Sequence, residues 1–151
     1  MTIIVRRLAP RDAADWRRLF GAYIDFYGAN VPDDVIGLAW QRMLAGEPDF
    51  HIGLVAVDED DRAVGLAHIL FHRSTWSPTW YCYLEDLYVE PAVRGRGIGR
   101  ALIEAVYQEA DARGATRTYW TTQEINYRAR TLYDKVAVKS DFIRYQRRCA
   151  F

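Results

Sequence analysis

The sequence predicts a mixed α/β domain, an α+β sheet that is antiparallel in its first strands, parallel at one glycine-rich bend, and covered by helices on both faces. Three observations carry that prediction. Between residues 50 and 89, runs rich in Val, Ile, Leu and Tyr are separated by polar turns, as an antiparallel meander requires. Directly behind Val93-Arg94-Gly95-Arg96-Gly97-Ile98-Gly99-Arg100 the apolar spacing changes to a helical one. A further β-type run follows that helix, and a strand, helix, strand order favours a right-handed crossover between parallel neighbours.

Residues 2–8, rich in Ile and Val and followed by Pro10, form the first predicted strand. Asp12 stands where it can cap a helix in which Trp16, Leu19, Phe20, Tyr23 and Tyr27 share a face, ending at Gly28. Asp33 or Asp34 starts a second helix, with Val35, Ile36, Ala39, Trp40, Met43 and Leu44 on one side and Gly46 at its end. Residues 50–57 and 63–72 read as a hairpin across Asp58-Glu59-Asp60-Asp61-Arg62, and residues 79–89 continue the meander until Pro91. Ile98, Leu102, Val106 and Ala110 mark a third helix stopped by Gly114, and residues 117–122 are the strand after it. A fourth helix opens at Asn126 or Tyr127, with Ala129, Leu132, Tyr133 and Val136 on one face, and residues 142–148 are predicted as a last strand.

Half of the 151 residues are hydrophobic and 14% are aromatic, which suits one compact domain over residues 1–151. Twenty Lys+Arg balance twenty Asp+Glu, so no general field favours nucleic acid or an anionic membrane as partner. No apolar run approaches the ~18 residues of a membrane span, and Arg6 and Arg7 interrupt the first hydrophobic stretch before a secretory core can form. Cys82 and Cys149 make neither a disulfide framework nor metal-ligand spacing, so a reducing, cytoplasmic setting and no metal are expected. His51, His68 and His72 fall on predicted strands without ligand or triad spacing and read as ordinary strand residues.

The bend is the strongest chemical signal. Gly95, Gly97 and Gly99 ahead of a helix suggest a backbone wrapped closely around an anion, since the first helical turn leaves N–H groups without intrahelical partners. Arg94, Arg96 and Arg100 add full positive charges beside them. A dinucleotide-binding turn would have its third glycine where Arg100 stands, and a nucleotide P-loop would need Gly-Lys followed by Ser or Thr, which does not occur. A plain strand-to-helix turn is the other reading of the same glycines.

Arg94-x-x-Gly97-x-Gly99, behind a strand ending Leu87-Tyr88-Val89 and ahead of an Ala/Leu-rich helix, resembles the acyl-CoA signature of the GNAT superfamily of N-acetyltransferases. Asn126, Ala129, Leu132, Tyr133 and Lys135 resemble that superfamily's later helix motif, and the predicted element order is similar to its fold from end to end. Tyr83-Leu84-Glu85-Asp86-Leu87-Tyr88-Val89 is similar to the polyamine and thialysine acetyltransferase branch. Tyr133-Asp134-Lys135-Val136-Ala137, taken with Phe142-Ile143-Arg144-Tyr145, resembles the fungal histone-and-polyamine acetyltransferases. Ala137 stands where the superfamily usually has a glycine, so the fourth helix is expected to run on towards Ser140.

The resemblance implies a GNAT-like fold and an acetyl-CoA-dependent transfer to a primary amine of a small molecule (a polyamine, diamine or amino acid), by direct attack in a ternary complex. A protein or histone N-acetyltransferase and a non-catalytic acyl-CoA-binding module are the alternatives. It further implies that Arg94 and the N–H groups of Gly95, Arg96, Gly97, Ile98, Gly99 and Arg100 receive the pyrophosphate, and that the strand edge at Leu87, Tyr88 and Val89 pairs with the pantetheine amides. An N–H near Leu87 or Tyr88 would polarise the thioester carbonyl, and Asn126 belongs to the same cofactor-binding set.

Acetyl transfer needs a held thioester, an unprotonated amine and a proton for the departing thiolate. By residue type Tyr133 is a core aromatic; its place in the helix motif implies the general acid. Glu85, two residues before Leu87, is the candidate base, directly or through water, with a solvated or salt-bridged strand carboxylate as the alternative. Asp86 faces the other way on a regular strand, and a bulge would exchange the two. The amine pocket is expected between this strand and the two early helices, with Asp25, Asp33, Asp34, Tyr23, Tyr27 and Trp40 as candidate contacts for a cation. Neither cysteine has the setting of an activated nucleophile. Edge strands and the aromatic segment 79–83 are compatible with a homodimer.

Overall fold

The structure, a computed structural model, describes residues 1–46 and 51–148. They fall into two compact units, Met1–Thr121 and a smaller one that begins at Thr122. The first holds a five-stranded sheet in the order β1 (Ile4–Arg7), β2 (Ile52–Val57), β3 (Ala63–His72), β4 (Tyr81–Val89), β5 (Arg117–Tyr119). The first four strands are antiparallel neighbours, and β4 and β5 are parallel, as the short hairpins and the single crossover helix require. Its helices are α1 (Ala13–Phe26), α2 (Asp33–Ala45) and α3 (Ile98–Ala112).

Adjacent residues of β3 identify the layers. Leu66 lies in a buried cluster with Trp16, Leu19 and Ile24 of α1 and Ile36 and Met43 of α2. Its neighbour Gly65 faces α3, where an added Cβ would meet Leu102 at 3.2 Å and the Tyr88 carbonyl at 3.1 Å. Successive strand side chains point to opposite faces, so α1 and α2 cover one side of the sheet and α3 the other. Ile98, Leu102, Ile103, Val106 and Ala110 are the buried stripe of α3, which follows the helical period read from the sequence. Each of the four larger side chains contributes about 1.5–3 kcal/mol by leaving water.

Asp12 departs from the expected role. It precedes α1 without a side-chain capping bond. Its carboxylate instead accepts from Arg6 Nη1 at 2.7 Å, Arg6 Nη2 at 2.9 Å and the Ala9 N–H at 2.8 Å. With only 2% of its surface exposed, the carboxylate needs counter-charge more than the helix end needs a cap. Arg6 Nη2 also donates to Asp61 in the β2–β3 turn, so β1, the start of α1 and that turn share one charge cluster.

Other boundaries shift. Phe50, placed by the sequence at the start of β2, lies outside the described residues, and the strand begins at Ile52. β5 ends at Tyr119. In the second unit α4 (Tyr127–Val136) is capped by Asn126, whose side chain accepts from the Ala129 N–H at 3.4 Å. The helix stops at Val136, with Ala137 fully extended, and does not continue towards Ser140. β-Branched Val136 and Val138 flank that position and favour the extended backbone. The strand expected over residues 142–148 does not form; Phe142, Ile143 and Tyr145 are exposed. The segment has strand composition, but no described strand pairs with it, and ladder hydrogen bonds are what hold a strand. Among the described residues no helix is long and apolar enough to cross a membrane.

Candidate active site

The site begins with a one-residue mismatch. His68 of β3 pairs with Asp86, but Ile69 pairs with Leu84, so Glu85 is an extra residue in β4. Such a bulge interrupts the alternation of the strand, and neighbouring side chains need no longer diverge. Glu85 and Asp86 both line one pocket of about 200 Å³, together with His51, His68 and Arg42. Its apolar wall comes from the early helices, including Phe20, Ile36 and Ala39.

The two carboxylates have different partners. Glu85 accepts from His51 Nε2–H at 2.7 Å, and both side chains are partly open to solvent. Asp86 is deeper, with 16% of its side chain exposed, and accepts from His68 Nδ1–H at 2.8 Å. His68 Nε2 in turn accepts from Trp16 Nε1–H at 2.8 Å, and the His68 ring meets Phe20 edge-on at 4.9 Å. The Tyr23 hydroxyl lies beside Asp86; burial first, and the Asp86 charge second, push its pKa well above the usual phenol value.

The early aspartates do not enter the site. Asp25, Asp33 and Asp34 are absent from the pocket wall, and Asp33 pairs with Arg17 at 2.7 Å in solvent. Tyr27 packs on Tyr23, and Trp40 packs on Trp16 at 5.1 Å between ring centroids. His72 bridges the Arg73 carbonyl and the Tyr119 hydroxyl at 2.8 and 2.7 Å. Among the described residues no group of three or more His, Cys, Asp or Glu is arranged to hold a metal ion. Cys82 is buried, and burial pushes its thiol up to about 11.

The glycine bend runs from the end of β4 into α3. Gly95 and Gly97 take φ of 80° and 79°, a region that costs a side-chain-bearing residue about 1–2 kcal/mol. Gly97 precedes the helix, and the first helical bond runs from the Ala101 N–H to its carbonyl at 3.0 Å. The N–H groups of Ile98, Gly99 and Arg100 therefore precede the i→i−4 ladder, and with the helix dipole they suit an anion. Ile98 contributes only backbone there, because its side chain is core. Arg94 braces the bend: its Nε donates to the Val89 carbonyl at 2.8 Å, and its guanidinium lies 5.4 Å from the Tyr88 ring centroid. Arg96 is exposed, and Arg100 pairs with Glu104 at 3.2 Å. β5 pairs with β4 only over residues 81–83, so the same edge at Leu87, Tyr88 and Val89 extends beyond β5. In the second unit Tyr133 is half-buried on α4, and Asn126 Nδ2 donates to Thr122 Oγ1 at 3.4 Å.

This bend after a strand, with the order of elements around it, has known counterparts. Residues 15–137 match the model of the acetyltransferase (GNAT) family. The chain belongs to the GNAT family. This GNAT acetyltransferase is 37% identical over 147 residues to the D-amino-acid N-acetyltransferase HPA3 of Saccharomyces cerevisiae, with 96% of the chain and 90% of the relative covered. It is 39% identical over 70 residues to the thialysine N-epsilon-acetyltransferase of Bos taurus, covering 46% of the chain and 41% of that protein. A crystal structure of an aminoglycoside acetyltransferase from an uncultured soil metagenomic sample superimposes with a TM-score of 0.81 at 25% identity, covering 99% of the chain and 100% of that one. The antiparallel start and the parallel pair behind the bend are thus those of GNAT acetyltransferases, as the sequence implied. The GNAT family uses acetyl-CoA, and the glycine bend with its open N–H groups suits the pyrophosphate of that molecule.

Sequence reasoning passed over four pocket or network residues. His68 had a signal: it is two residues from Leu66 on β3, hence on the face that α1 covers. Trp16 was legible as core but not as a hydrogen-bond donor. His51 and Arg42 gave none, since only the fold carries them to Glu85 and Asp86.

Proposed function

We propose that this GNAT acetyltransferase moves the acetyl group of acetyl-CoA to the primary amine of a small molecule, with amino acids and diamines as the first acceptors to test. The observation that carries this reading is the small pocket in which Glu85 and Asp86 stand side by side against an apolar wall. Two carboxylates in about 200 Å³ suit a compact cation. The names of its relatives point the same way, toward D-amino acids and thialysine.

Acetyl-CoA, when bound, supplies the acyl group as an activated thioester. Arg94, Arg96 and the N–H groups of residues 95–100 hold its pyrophosphate, the edge at Leu87, Tyr88 and Val89 receives the pantetheine amides, and Asn126 completes the set. An ammonium ion is not a nucleophile, so Glu85 accepts its proton, directly or through water, with His51 fixing the carboxylate. Tyr133 would give a proton to the departing thiolate, and the second proton shed by the attacking nitrogen would restore its hydroxyl. The amine attacks directly: a buried thiol held near 11 makes Cys82 a poor acyl carrier. A homodimer is part of the same proposal, supported by the exposed apolar residues Phe142, Ile143 and Tyr145, and a sedimentation measurement tests it. A free thiol at Cys82 supports a reducing, cytoplasmic setting.

Thiol release from acetyl-CoA, followed with a panel of D- and L-amino acids, thialysine, putrescine and spermidine, tests the function. Release that depends on an added amine is the expected result. CoA binding without release for any amine would identify a binding module instead.

A further inference from the structure

We propose that Asp86 is the carboxylate that receives the acceptor's ammonium group, and that Trp16 and His68 are its positioning residues. This rests on the proposed amine pocket and assigns it an anchor distinct from the base.

Hydrogen-bond direction fixes the state of the chain. An indole N–H can only donate, so the 2.8 Å contact from Trp16 Nε1 makes His68 Nε2 an acceptor. The ring proton then sits on Nδ1, which donates to Asp86 Oδ2 at 2.8 Å. A second proton on His68 would set two donors against each other in a site where only 3% of the residue is exposed. His68 is therefore neutral, and the charge of Asp86 is oriented by it without being cancelled.

The remaining geometry directs that charge to a ligand. A purely structural carboxylate would be enclosed by its partners, whereas Asp86 keeps a face on the pocket. Phe20 and Ile36 line the same space and keep the local dielectric low, which strengthens attraction for a cation. The other ionisable groups around it are Tyr23 of α1, Arg42 of α2, His51 and Glu85. Glu85 is the more exposed carboxylate and is paired with a histidine open to solvent, a setting suited to passing a proton outward. Anchoring and deprotonation thus fall to adjacent residues of one bulge.

The test is steady-state kinetics with whichever of spermidine, putrescine, D-lysine and D-phenylalanine is the best acceptor. Asp86→Asn should raise the amine KM at least about 10-fold, the loss expected for a charged hydrogen bond, while kcat and the acetyl-CoA KM change little. His68→Leu and Trp16→Phe should move the amine KM in the same direction. His68→Asn, which keeps an N–H where Nδ1 stands, should recover most of the loss. An unchanged amine KM in Asp86→Asn, or equal impairment in His68→Asn and His68→Leu, overturns the proposal. Where buried variants do not fold, NMR of the imidazole nitrogens in the wild-type protein decides: an Nε2–H tautomer or an imidazolium at neutral pH refutes the chain. If no amine is turned over, the transferase reading fails separately; calorimetric titration of the same amines into the CoA-saturated protein still tests Asp86, and binding unaffected by Asp86→Asn overturns its role.

Discussion

His51 and Glu85 lie 34 positions apart in the chain and meet at 2.7 Å beside the pocket. The contact joins the residue just before β2 to the bulge of β4 and turns an exposed strand carboxylate into an oriented one. Glu85→Gln keeps the shape and an oxygen for His51 but removes the proton acceptor. We expect kcat to fall about 100-fold, the scale of general-base catalysis, with the acetyl-CoA KM nearly unchanged. His51→Gln should lower kcat by a smaller factor. Full turnover in Glu85→Gln would exclude it as the base.

Gly97→Ala should fold and bind CoA more weakly. Nothing lies within 4 Å of the added Cβ, so the penalty comes from the backbone angle alone, about 1–2 kcal/mol at φ 79°. Relaxing that angle rotates the N–H groups that open α3, and calorimetry with CoA should show about a 10-fold loss of affinity. The amine KM is the control; a variant with unaltered CoA affinity would make the bend a mere turn.

Tyr133→Phe removes a hydroxyl and little else. Its expected signature is a kcat lowered by at least about 10-fold at unaltered CoA affinity, since a general acid acts on the leaving group and not on binding. Unchanged turnover would return Tyr133 to a packing role on α4.

The Arg6 cluster predicts the acid behaviour of the fold. Asp61 is held down to about 2 by Arg11 and Arg6; burial tends to raise Asp12, but the Arg6 bonds keep it below its ordinary value. A lowered folded-state pKa means stability that is fully present above the unfolded value, near ~4, and lost as pH falls through the folded one. Urea midpoints should therefore drop between about pH 4 and pH 2. Arg6→Leu strands the buried Asp12 charge and should cost about 2–4 kcal/mol at neutral pH, with a weaker acid dependence.

Cys82→Ala should leave turnover intact, and iodoacetamide should fail to label Cys82 in the folded protein. A thiol near 11 in a closed site is almost entirely protonated at neutral pH. Rapid labelling, or a strong loss of kcat, would reopen a covalent route.

The parts of this protein legible in its sequence are those set by local rules. The stripe Ile98, Leu102, Val106 and Ala110 gave α3, the polar turn after Val57 gave the hairpin, and three glycines before a helix gave the bend. Residues 142–148 misled because strand composition says nothing about whether a partner strand is present. Asp12 misled because capping is local, whereas its pairing with Arg6 depends on how β1 meets α1. The pocket lining was only half legible: Glu85 was singled out and does line it, but the aspartates of the early helices were not the groups that the fold turns inward. His51 reaches Glu85 only when β2 and β4 lie in one sheet on either side of β3, an arrangement no spacing in the chain encodes.

The extra residue in β4 also sets the protein's tolerance to change. Deleting Glu85, the one residue between Leu84 and Asp86, would restore regular pairing with β3, leave Asp86 opposite His68, and remove one of the pocket's two carboxylates. The irregularity is what brings two adjacent carboxylates to one pocket. On the base role proposed for Glu85, a variant that survived selection for heat resistance alone by losing this residue would be sturdier and inert.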